Sequence, residues 1–156
     1  EALREPFDAV LALDVIEHLD DDRAAVANLA GLVAPGGVLI LSVPAQPPLF
    51  SEFDEVQGHR RRYLPDGLRG VFEGSGLTVG RVSWWGAWMV PLLRRRRRRT
   101  PAAGESPAEV YLRHLQLPRS PGPQILRALY ALEHPLALRG VLPTGTSLFA
   151  AARKPG

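Results

Sequence analysis

The chain reads as an α/β protein, a mostly parallel sheet whose strands alternate with helices. Three observations point there. Short, nearly unbroken apolar runs recur at residues 7–13, 38–43, 77–84 and 146–153, and runs without polar alternation suit strands buried in a parallel sheet. Helical stretches opened by Asp or Pro separate the first three runs. Finally, 156 residues that are 46% hydrophobic and 22% charged suffice for one folded domain and exclude a wholly disordered chain.

Each element has its own signal. Phe7–Leu13 (FDAVLAL) is of strand length, and its apolarity predicts burial on both faces. Asp20, Asp21 and Asp22 offer N-caps and favourable charge to a helix running to about Val33, with Val26, Leu29, Ala30 and Val33 on one face. Pro35, Gly36 and Gly37 stop that helix in a tight turn before the second strand, VLILSV, which Pro44 ends. Residues 45–64 read as one long loop, and loops of that length in small domains usually serve function. Pro65 starts a helix to about Glu73, closed by Gly74 and Gly76. The third strand is 77–84 and the fourth 146–153. Residues 85–145 break the alternation and are expected to insert helices near 108–117 and 123–133, the second ending before Pro135.

Charge is unevenly spread. The net charge is −6 over residues 1–33, zero over 34–81 and +9 over 82–156, and 18 of the 19 basic residues are Arg. An acidic front suits a phosphate backbone poorly, and no aromatic residue interrupts the six arginines Arg94–Arg99. Nucleic-acid binding is therefore not expected. Trp84, Trp85, Trp88 and Met89 precede that Arg run. One reading makes 84–93 an apolar roof and the Arg run a solvated turn. The other makes 84–99 a peripheral membrane contact, a non-catalytic binding module with Arg attracting anionic headgroups. There are no cysteines, no apolar run reaches the ~18 residues of a membrane span, and no basic-then-apolar leader is visible. The expectation is a cytoplasmic protein without disulfides or thiolate metal sites.

Two segments at this spacing carry a resemblance: FDAVLALDVIEHLDD at 7–21 and LVAPGGVLILSVP at 32–44. With GHRRRYLPDGLRGVFEGSGLTV at 58–79 they resemble the class I S-adenosylmethionine-dependent methyltransferases, in the branch with small-molecule and lipid-like substrates. The resemblance implies a partial Rossmann-like sheet: the family's last four strands, the final one antiparallel, from residues 1–84 and 146–156, with 85–145 as a helical, Arg-rich insertion. It implies S-adenosylmethionine as cofactor and a small, apolar methyl acceptor. Leu13, Asp14 and Val15 would line the methionine side of the cofactor through backbone. The family's glycine-rich turn after its first strand has no counterpart here. The expectation is a C-terminal part whose Phe7–Leu13 edge lies open unless the N-terminal half of the domain is supplied.

Methyl transfer from a sulfonium is an in-line displacement with a neutral leaving group, so alignment and water exclusion do most of the work. A base is needed only where the acceptor must lose a proton. His59, in the long loop with Tyr63, is the candidate for that role because an ordinary imidazole titrates near neutrality. Arg60, Arg61 and Arg62 would orient an anionic acceptor or pair with Glu52, Asp54 or Glu55. Asp14, Glu17 and His18 admit a second reading. Quinone-biosynthesis methyltransferases, which the segment resembles, carry an acidic-x-x-Glu-His segment that can hold magnesium. The alternative is local hydrogen bonding at a helix turn, and no metal is expected. His114 and His134 are expected on the surface or in packing.

Overall fold

The four apolar runs become four strands of one sheet. A computed structural model describes residues 5–96, 106–115 and 122–156. It contains β1 (Phe7–Leu13), α1 (Asp22–Gly31), β2 (Val33–Pro44), α2 (Glu52–Gln57), α3 (Pro65–Gly70), β3 (Thr78–Trp85), α4 (Met89–Arg96), α5 (Pro107–Leu115), α6 (Gly122–Arg139) and β4 (Ser147–Arg153). The strand order is β1-β2-β4-β3. β1 pairs parallel with β2, and β4 pairs antiparallel with both β2 and β3, so β1, β2 and β3 run one way and β4 the other.

The core forms around β2 because its neighbours on both sides and both faces exclude water. Leu39, Leu41 and Val43 are fully buried, as is Leu148 of β4. Each such side chain contributes about 1.5–3 kcal/mol by leaving water. From α1, Val26 packs into the same cluster, as do Leu68 of α3 and, just beyond it, Val71 and Phe72. Asp21 caps α1, its side chain accepting from the Ala24 N–H at 2.9 Å.

Several expectations change. β1 was expected to be buried on both faces, yet only Ala12 of its seven residues is buried, while Phe7, Leu11 and Leu13 stand exposed. The reason is that β1 has a strand partner on one side only. The open edge itself was expected. The turn at 34–37 lies inside β2 as a bulge: Phe7 pairs with Val33 but Ala9 with Val38. Gly37 is obligatory there, since a Cβ would stand 2.9 Å from the Ala34 and Asp8 carbonyl oxygens. The 45–64 stretch is not one loop. It holds a 3₁₀ turn at Pro47–Leu49 and the helix α2, whose Ser51 and Asp54 form a capping box. α3 ends at Gly70 rather than near Glu73, with turns following. α6 does not end before Pro135 but continues past it to Arg139, with Glu133 and Ala137 on either side of the proline buried. Arg94 to Arg96 continue α4 rather than forming a turn, and the rest of the Arg run lies outside the described residues, as does the side chain of His114. Among the described residues no helix is long and apolar enough to cross a membrane.

Candidate active site

The carboxyl ends of β1 and β2 lie side by side. Leu13 of β1 lies opposite Ser42 of β2, so Asp14 and Pro44 come out side by side at the same end of the sheet. Two residues there adopt left-handed backbone without being glycine: Asp14 (φ 53°), just past β1, and Gln46 (φ 61°), just past β2. Such conformations cost of order 1–3 kcal/mol and persist only where surrounding contacts impose them. Around Asp14 those contacts come from Ser42: the Asp14 N–H donates to the Ser42 carbonyl at 3.0 Å, and the Ser42 hydroxyl donates to Asp14 Oδ1 at 3.1 Å. Around Gln46, the backbone N–H donates to the Tyr63 carbonyl, and the side-chain amide donates to Thr144 Oγ1 and the Gly145 carbonyl. Arg94 of α4 donates to Gln46 Oε1 at 3.2 Å, which ties the inserted helix to the end of β2.

Leu13, Asp14 and Val15 are all solvent-exposed on the open side of β1. Immediately after them a 3₁₀ turn, Ile16–His18, turns Glu17 inward, where it is fully buried. Neither Glu17 carboxylate oxygen has a hydrogen-bond partner. Burial pushes its pKa up, and the nearby Asp14 charge adds to that, against the opposing pull of its own backbone N–H and of His59 and His18.

The segment around α2 supplies the facing groups. Asp54 is fully buried and saturated. It accepts from the Ser51 N–H and hydroxyl (2.8 and 3.1 Å), from Arg62 Nε and Nη2 (2.8 and 3.0 Å) and from His59 Nδ1 (3.0 Å). Burial alone works to raise its pKa, but the hydrogen bonds from Arg62 and His59 outweigh it and hold the carboxylate below its ordinary range. Because the ionised carboxylate only accepts, His59 Nδ1 carries a proton, and in the neutral ring Nε2 then presents the lone pair. The His59 ring lies edge-on to that of His18 at a centroid distance of 4.8 Å. His18 Nδ1 faces the Gly58 carbonyl at 3.3 Å, which likewise leaves its Nε2 as the lone-pair nitrogen.

The three arginines are structural. Arg62 binds Asp54; Arg61 binds Asp22 and the carbonyls of Leu19 and Asp20; Arg60 pairs with Asp20 and donates to the His18 carbonyl. Arg60, Arg61 and the Tyr63 hydroxyl, which donates to Asp22 at 2.7 Å, stitch the segment after α2 to the loop after β1 and the first residue of α1, while Arg62 also donates to the Ala45 carbonyl. Burial and the Asp22 carboxylate both drive the Tyr63 phenol pKa far up, so it stays protonated.

The acidic-x-x-Glu-His reading comes apart in the fold. Asp14 turns to Ser42, whereas Glu17 and His18 meet His59, their ligand atoms all within 4.8 Å of one another. Magnesium takes oxygen ligands in near-octahedral geometry. One carboxylate and two imidazoles do not fit it, and no step is derived through magnesium. Sequence reasoning placed His59 and His18 but missed Asp54 as the group that orients His59. The signal was present as the S-x-x-D capping pattern at Ser51 and Asp54.

Comparison with known proteins agrees with this geometry. A family model described as a methyltransferase domain matches residues 1–82. A ubiquinone biosynthesis O-methyltransferase of Rhodopseudomonas palustris is 46% identical over 39 residues, 25% of this chain and 15% of that protein. Among solved structures, the complex of a Haloferax volcanii methyltransferase with the Trm112 methyltransferase activator superposes with a TM-score of 0.55 at 15% identity, covering 99% of this chain and 58% of that one. A phosphoethanolamine N-methyltransferase of Haemonchus contortus, solved with S-adenosyl-L-methionine, gives 0.51 at 17% identity, covering 97% of this chain and 34% of that one. At such identities the structures speak for the fold. The chain thus spans only part of each of these proteins, and on the family match over more than half its length it belongs to the methyltransferase-domain family.

Proposed function

We propose that this chain forms part of an S-adenosylmethionine-dependent enzyme that methylates a small molecule. The observation carrying the proposal is the meeting of Asp14 and Pro44 at neighbouring strand ends, with backbone strain at Asp14 and Gln46. Open α/β sheets take their ligands at the carboxyl ends of strands. Leu13, Asp14 and Val15 form one wall of the cofactor crevice, and residues beyond this chain, pairing along the free edge of β1, form the other. The acceptor sits on the α2 side, with Gln46 and Arg94 at its border. Its apolar character rests on the resemblance alone.

In this reading the protein's own contribution is alignment and exclusion of water. The Arg60–Tyr63 stitch holds the α2 segment over the strand ends. Where the acceptor carries a proton to be lost, His59 Nε2 accepts it, while Asp54 keeps the other nitrogen protonated and stabilises the imidazolium.

The test is equilibrium binding of S-adenosylhomocysteine, by calorimetry, to this chain and to a longer polypeptide extended at its N-terminus. The longer form is expected to bind and this chain to bind far more weakly. A longer form that folds yet stays silent removes the proposal.

A further inference from the structure

α6 is predominantly apolar on both of its faces. Its inner face packs against β3, with Glu133 and Ala137 buried. On its outer face Leu132 is 70% exposed, Leu138 66% and Ile125 54%, and Leu136 stands exposed with them. Ile125, Leu132 and Leu136 recur at helical spacing, so they form one line along the helix. Val141, just past its end, is exposed as well. A surface helix ordinarily turns polar residues outward, and one that is apolar on both sides lies covered. The covering of this face is separate from that of β1. β3, against which α6 packs, is at one edge of the sheet and β1 at the other.

The charged residues bordering the face are basic. Arg127 and Arg139 stand exposed on α6, and neither has an ion-pair partner among the described residues. Arg81 donates to the Leu138 carbonyl at 2.8 Å and so lies beside the exposed end of the helix. Residues 82–156 hold 12 basic and 3 acidic residues, and of those acids Glu133 is buried beneath α6. The tryptophans before the Arg run serve another purpose. Trp85 stacks on Tyr130 of α6 at 5.5 Å, and Trp88 meets the same ring edge-on at 5.1 Å. They fasten the segment entering α4 to the inner side of α6.

We propose that the outer face of α6, continued by Val141, docks on the surface of an anionic lipid bilayer. An apolar line edged by arginines matches such a surface. The aliphatic side chains enter the boundary of the acyl region, and the guanidiniums meet the headgroups. A second copy of the chain fits the face poorly, since it would bring up the same excess of positive charge. The contact therefore moves from 84–99, where the sequence alone put it, to a helix whose sequence carries few charges.

The inference goes beyond the methyl-transfer reading and is tested with no cofactor present, so neither result decides the other. The tag-free chain is sedimented with two kinds of vesicle, one of phosphatidylcholine and one of phosphatidylcholine with a third of phosphatidylglycerol. It is expected to sediment with the anionic vesicles only, and to be released in ~1 M salt, where the screening length falls to about 3 Å. The double variants Ile125→Ser/Leu132→Ser and Arg127→Ser/Arg139→Ser should each weaken partitioning by at least about tenfold. Leu11→Ser, at the exposed β1 edge, should partition as the parent does, as should the N-terminally extended form. The changed side chains are exposed, and circular dichroism confirms folding; the arginine pair decides the matter if the apolar pair unfolds. No binding to anionic vesicles, equal binding to neutral ones, or binding that Leu11→Ser abolishes and the α6 variants leave intact overturns the proposal. A dimer in sedimentation equilibrium that Ile125→Ser/Leu132→Ser dissociates, without vesicle binding, overturns it in favour of a second copy.

Discussion

The loop after β1 and the segment around α2 each bury one carboxylate completely beside the same imidazole, and the two carboxylates end up in opposite states. Asp54 sits among a guanidinium, a histidine, a serine hydroxyl and a backbone N–H, and its pKa is held down. Glu17 has no side-chain partner for either oxygen, and its pKa is pushed up. Removal from water costs both groups the same kind of solvation energy. The difference lies in whether donors replace the lost water. One buried acid thus holds the segment together, while the other is left without donors.

This contrast can be broken or sharpened by substitution. The largest effect is expected from Asp54→Ala, which leaves Arg62 and His59, both almost fully buried, without their counter-charge. A loss of about 3–5 kcal/mol is expected from equilibrium urea unfolding; a loss under about 1 kcal/mol would mean that Asp54 is no anchor. Tyr63→Phe removes the hydroxyl that donates to Asp22 and should cost about 1.5 kcal/mol in the same measurement. Glu17→Gln should act in the opposite direction, because it replaces an unsatisfied acid by a neutral amide. At neutral pH without metal, a gain of up to about 1 kcal/mol is expected. A loss comparable to that of Asp54→Ala would show the two carboxylates to be equivalent and end the comparison. The smallest effect belongs to Arg23→Ala. Its pair with Glu73 is exposed on both sides, so the midpoint should shift by less than about 0.5 kcal/mol.

Legibility followed the same division. The strands were visible because apolar runs and their Gly and Pro boundaries are local signals, and β1 was bounded to the residue. α2 was missed because a six-residue helix carries no hydrophobic periodicity, and its only sign is the pairing of Ser51 with Asp54. The exposure of β1 contradicts what its composition suggests, because β1 has a strand partner on one side only. The Arg triplet at 60–62 read either as a surface for an anionic acceptor or as partners of Glu52, Asp54 or Glu55. In the fold Arg60 and Arg61 find acidic or carbonyl partners between His18 and Asp22, some 40 residues away in sequence, whereas Arg62 turns to Asp54 within its own segment.

The amino-acid order alone determined the α/β class, the strand count and the placing of Asp14 just past β1 and of His59 in the connection between β2 and α3, because these depend on neighbours within a dozen residues. Only the tertiary structure decided that Asp14 belongs with Ser42 and that Glu17 and His18 belong with His59. Side-chain partnerships across a sheet edge depend on register and on which loops fold over it, and neither is written in any single segment.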